Sequence, residues 1–196
     1  LRLALSNPEN VRALVAASGG SGSNPEGREA FREEAQKLSE QFLEHEFMPA
    51  DGFANGPTRV QLKRKDPRGW QEFRDHLAEH PAVGAAHTLR NVQAERPSLY
   101  DFEDAFKACQ VPTLLMVGDE DEACLDANVW LKRTMPTSGL YVVPKSGHLL
   151  NLEDPARFNQ EVSDFLRAVD NGTWPVRDPV SATFAGVGPA VADPEK

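Results

Sequence analysis

The chain has 196 residues, 40% of them hydrophobic and 26% charged, a composition that excludes a disordered or fibrous polymer and fits one globular domain. A formal net charge of -9 argues against a surface built to neutralise phosphates, so neither nucleic acid nor an anionic membrane is an expected partner. Two cysteines, Cys109 and Cys124, give neither a disulfide framework nor thiolates at metal-binding spacing; a reducing, cytoplasmic setting is expected, with no metal or other cofactor. No apolar run approaches the ~20 residues that span a bilayer. The start lacks the layout of a signal peptide, but Leu1 is not Met, so a targeting segment upstream stays open.

In chain order, Leu1 to Asn7 reads as the end of a buried helix, stopped where Asn7 precedes Pro8. Val11 to Ala16 is a short apolar run closed by Ser18-Gly19-Gly20, as expected of a parallel strand buried on both faces. From Glu26 to Phe47 the spacing of Phe31, Ala35, Leu38 and Phe42 predicts an amphipathic helix. Asp66-Pro67 offers an N-cap and a first-turn proline to a second helix carrying Trp70, Phe73 and Leu77 on one face. Pro81 ends it and opens a third helix to about Glu95. Val111 to Gly118 is apolar throughout and ends in the acidic turn Asp119-Glu120-Asp121-Glu122, predicting a second parallel strand. A helix from about Leu125 to Thr134 leads to a third strand, Leu140 to Val143, and to the loop Pro144-Lys145-Ser146-Gly147-His148. Asp154-Pro155 caps a last helix with Phe158, Val162, Phe165, Leu166 and Val169 on one face. Beyond Trp174 the composition predicts an irregular tail.

Strand and helix alternate at the spacing of right-handed crossovers onto a parallel sheet, an α/β fold whose ligands bind at the carboxyl ends of the strands. Asp121 and His148 both follow such ends, on consecutive strands with one helix between them. A carboxylate beside an imidazole is what a nucleophilic hydrolase needs to hold the base in the right tautomer and stabilise its cation. Asp119 is the competing acid, nearer the strand and able instead to orient the loop.

The segment from Val111 to Leu166, with its strand-G-x-x-D turn and its S-G-H loop before N-L-E-D-P, resembles the end of an α/β-hydrolase. Leu3 to Gly20 resembles that family's helix after the nucleophile and the strand that follows it. The resemblance implies a partial α/β-hydrolase fold, with the core in 1–20 and 98–170, a helical cap over 21–97 and an irregular tail over 171–196. It makes Asp121 the acid and His148 the base of a Ser-Asp-His triad. His87, flanked by Ala85, Ala86 and Thr88, is then a candidate substrate-binding residue, because small neighbours leave room for a ligand.

The family's G-x-S-x-G elbow is not found in this chain; Gly19-Gly20-Ser21-Gly22-Ser23 fails at its last position and follows the wrong strand, leaving Ser21 and Ser23 as loop residues. The expected partners are therefore a small, partly apolar ester-like substrate and the N-terminal half of the hydrolase fold, from the same gene product upstream or from a separate chain. A non-catalytic binding or interaction protein, or one half of a split hydrolase, is the alternative; epoxide, haloalkane or carbon-carbon bond hydrolysis also stays open, and this chain by itself is expected to be inactive. His76-Leu77-Ala78-Glu79-His80 matches a zinc-binding H-x-x-E-H pattern, but Pro81 ends the helix at once and no third ligand is placed, so no metal site is expected there.

Overall fold

The computed structural model describes residues 1–182; of the predicted tail, 183–196 lie outside the described residues. Three parallel strands, β1 (Leu14–Ala17), β2 (Thr113–Gly118) and β3 (Ser138–Val143), lie in the order β1-β2-β3. Leu14 stands beside Thr113, and Thr113 beside Ser138. β2 is central, and all six of its residues are buried, as its unbroken apolar run requires.

Successive side chains of a strand point to opposite faces, and the core divides accordingly. Leu115 packs on one face with Phe106, Leu131 and Met135, from helices α7 (Glu103–Ala108) and α8 (Glu122–Thr134) and the turn after α8; Ala4 of α1 (Arg2–Ser6) joins them. Leu114 and Met116 pack on the other face with Leu150 of α9 (Leu150–Glu153) and Phe165 of α10 (Pro155–Asp170). Each fully buried side chain of this kind stabilises the fold by roughly 1.5–3 kcal/mol relative to its exposed state.

Between β1 and α7 the chain is mainly helical: α2 (Arg28–His45), α3 (Ala50–Ala54), α4 (Val60–Lys65), α5 (Pro67–Ala78) and α6 (Ala82–Thr88), followed by a π-type turn over Leu89–Gln93. Ala35, Ser39 and Phe42 form the buried stripe of α2, and the Ser39 hydroxyl donates to the Ala86 carbonyl at 2.9 Å. A small separate core of Ala54, Leu62 and Trp70, with Phe73, touches Leu149, the neighbour of His148.

Both predicted Asp-Pro starts are present. Asp66 accepts from the Gly69 amide at 2.9 Å and Asp154 from the Arg157 amide at 3.2 Å, caps worth about 1 kcal/mol each. Other expectations are corrected. β1 begins at Leu14 rather than Val11 and is only partly buried, because it borders β2 on one side and ends the described sheet. The first helix, α1, buries Ala4 alone. The third predicted helix does not run regularly to Glu95, since α6 gives way to the π-type turn after Thr88.

Candidate active site

The site is built where the loops after β2 and β3 meet. Gly118 ends β2, and a Cβ there would collide with the carbonyls of Ser146 and Gly147, so only glycine lets the two loops close on each other. Three hydrogen bonds then lace them together. The Asp119 amide donates to the Val143 carbonyl (3.1 Å), the Glu120 amide to the Ser146 carbonyl (2.9 Å), and the Ser146 amide to Asp119 Oδ1 (3.3 Å). Asp119 thus orients the histidine loop.

Asp121 is the N-terminal flanking residue of α8; its carbonyl accepts the amides of Cys124 and Leu125, both at 2.9 Å, while its carboxylate makes no cap bond. That carboxylate is wholly buried and turns instead to His148, whose Nδ1 lies 2.9 Å from Asp121 Oδ2. A carboxylate accepting at Nδ1 favours the tautomer with the proton on that nitrogen, leaving Nε2 as an acceptor. The His148 side chain is 29% exposed, and among the described residues Nε2 takes no hydrogen bond. Asp121 Oδ1 is buried without a hydrogen-bond partner among the described residues.

Two groups near the pair have displaced proton affinities. The Cys124 thiol, 3.9 Å from His148 Nδ1 and donating to the Ser18 carbonyl at 3.2 Å, is pushed up to about 12, first by burial and then by the charge of Asp121. Burial lowers the Arg59 guanidinium, and the nearby Asp121 charge works against that shift. Asp121, Cys124 and His148 each present one donor atom, and these lie within 4.8 Å of one another, the set of groups here that could hold a metal ion.

Sequence reasoning missed the support for His148. Glu153, its side chain fully buried, accepts from the Gly147 amide (3.0 and 3.1 Å) and the Leu149 amide (3.2 Å), on either side of the histidine. Lys65 Nζ at the end of α4 donates to Glu153 (3.1 Å) and to the Ser146 hydroxyl (2.7 Å). The His148 amide donates to the Thr58 carbonyl (2.7 Å), while Gln61 and Arg64 both donate to Glu120. The one available signal was Glu153 itself, an acidic residue placed directly after the largely apolar Leu149-Leu150-Asn151-Leu152 run.

Other candidates are placed elsewhere. His87 is exposed on α6, and no hydrogen bond links it to Asp121 or His148 among the described residues. An apolar cavity of about 260 Å³ is lined by Phe42, Phe53, Leu77, Ala85 and Leu89 of the helical segment rather than by the Asp121–His148 pair. Ser21 accepts from Arg96 through its carbonyl and hydroxyl, and the Ser23 carbonyl accepts from Ser98, so both serve the loop, as expected. His80 faces the carbonyls of His76 and Leu77 at its own helix end.

A model of the alpha/beta hydrolase family matches residues 2–161. The chain belongs to this family. A Bacillus subtilis (strain 168) protein provisionally named 2-succinyl-6-hydroxy-2,4-cyclohexadiene-1-carboxylate synthase is 26% identical in an alignment of 174 residues that covers 85% of this chain and 61% of that protein. A Klebsiella pneumoniae protein provisionally named carbamate hydrolase RutD is 28% identical in an alignment of 178 residues that covers 86% of this chain and 62% of its own length. The structure of MenH from S. aureus superposes with a TM-score of 0.76 at 17% identity, covering 87% of this chain and 65% of that one, which supports the hydrolase fold. The chain thus spans about three fifths of the curated relatives it matches.

Proposed function

We propose that this chain supplies the acid and the base of a Ser-Asp-His hydrolase acting on an ester or a similar small, partly apolar acyl compound. The observation that carries the reading is the 2.9 Å contact between His148 Nδ1 and the wholly buried Asp121 carboxylate, at the carboxyl ends of β2 and β3. The carbamate hydrolase name borne by the Klebsiella relative supports a carbonyl compound as substrate. The nucleophile is a serine outside this chain, on the N-terminal part of the fold, from the same gene product or a separate one.

In this mechanism His148 Nε2 removes the serine proton as the oxygen attacks the carbonyl carbon, and Asp121 stabilises the imidazolium through Nδ1–H. The imidazolium then protonates the leaving alcohol or amine. Water, activated by the same nitrogen, releases the acid from the acyl-enzyme and restores the serine. His87, exposed on α6, is proposed to meet substrate from the helical segment.

The test is His148→Ala in the complete protein, assayed with p-nitrophenyl esters of increasing chain length. Nearly all turnover should vanish while substrate still binds. Unchanged turnover would overturn the assignment.

A further inference from the structure

We propose that Asp121, Cys124 and His148 form an inhibitory binding site for a soft divalent cation of the zinc class. The two cysteines have no metal spacing in sequence, but the fold assembles a mixed donor set of carboxylate, thiol and imidazole, all within 4.8 Å of one another. Tetrahedral zinc, with bonds of about 2.0 Å to nitrogen or oxygen and about 2.3 Å to sulfur, holds N and O about 3.3 Å apart and N and S about 3.6 Å apart. Here Nδ1 lies 2.9 Å from Asp121 Oδ2 and 3.9 Å from Cys124 Sγ, each within a few tenths of an ångström of those spacings, and all three donor atoms lie within 4.8 Å of one another.

A second feature also points to a ligand. Asp121 Oδ1 is buried without a hydrogen-bond partner among the described residues, an orphaned acceptor on a side chain of zero exposure. A carboxylate and a thiolate neutralise the charge of a divalent ion, which suits a buried position.

Binding releases the Cys124 thiol proton to solvent and moves the His148 proton from Nδ1, where the metal sits, to Nε2. The imidazole stays neutral, but Nε2 then carries a proton and cannot accept one from a nucleophile. Metal and catalysis therefore exclude each other. Binding stands on the donor geometry, whereas inhibition rests on the catalytic reading above.

The experiment uses the complete protein and cobalt(II) as probe. One equivalent should give tetrahedral visible bands and a near-ultraviolet thiolate-to-cobalt charge-transfer band, which zinc displaces. Cys124→Ala should abolish the charge-transfer band, and Cys109→Ala should keep it. His148→Gln, at a partly exposed position that spares the core, should weaken zinc binding at least about 100-fold, beyond the loss of an outer-shell partner. Absence of the band, or its survival in Cys124→Ala, would overturn the site. If cobalt binds as described while turnover is undiminished, the site stands and the catalytic role of His148 fails.

Discussion

Lys65 and Glu153, 88 residues apart in the chain, meet in a 3.1 Å ion pair that ties the helical segment to the loop carrying His148. Glu153 is the buried partner, and its remaining lone pairs are taken by backbone amides on both sides of the histidine. Truncating it leaves those amides and the lysine without their acceptor, so Glu153→Ala should cost about 3–5 kcal/mol. Lys65→Met should cost less, about 1–3 kcal/mol, because the carboxylate keeps its amide donors. Urea unfolding at constant m-value measures both. Equal costs would mean that the amide contacts add nothing.

Asp121→Asn should lower turnover by about 10⁴-fold, the scale seen when a triad acid can no longer hold the histidine tautomer. Asp119→Asn should cost far less, since among the described residues Oδ1 of Asp119 accepts the Ser146 amide alone and an asparagine oxygen can do the same. Comparing kcat in the two variants decides between the carboxylates; a larger loss at position 119 would reverse their roles.

Gly118→Ala should be disproportionately harmful for one methyl group. The added Cβ meets the carbonyls of Ser146 and Gly147, which are backbone and must move with the loop. A stability loss of about 1–3 kcal/mol is expected from overpacking. Displacing His148 by an ångström should lower kcat by about 10²-fold. Steady-state kinetics beside thermal unfolding tests the pair of effects; a loss of stability with unchanged kcat would show that the loop shift spares the histidine.

Glu120 provides the pH prediction. Hydrogen bonds from Gln61, first, and from Arg64 hold its carboxyl below the ordinary value of 4.5. A group depressed in the folded state contributes stability above its unfolded value and loses it as the pH falls through the folded value. Stability should therefore decline on acidification below about pH 4.5, and Glu120→Gln should flatten that decline. Urea midpoints between pH 3 and 6 for both proteins measure it; parallel curves would rule out the contribution.

What the sequence made legible was whatever rests on local patterns. The unbroken apolar run of β2, the Asp-Pro starts of α5 and α10, and the order of acid and histidine after consecutive strands are all readable without tertiary knowledge. The helices α3 and α4 were not, because five or six residues among Gly52, Gly56, Pro57 and a Lys-Arg-Lys run show no helical period. The burial of β1 was overestimated for a related reason: composition reports how apolar a strand is, not whether a neighbour covers it. Glu153 and Cys124 escaped notice because their roles depend on contacts with residues distant in sequence, Lys65 and His148 respectively.

The span from Thr58 to Lys65 supplies an acceptor for the His148 amide and donors for Glu120, Glu153 and Ser146. The helical segment is therefore not an interchangeable module. A chimera that replaced residues 21–97 wholesale would retain every residue of the acid and histidine loops yet remove the brace that fixes their spacing. A graft intended to alter ligand preference should leave 58–65 with the recipient and cross over on either side of it.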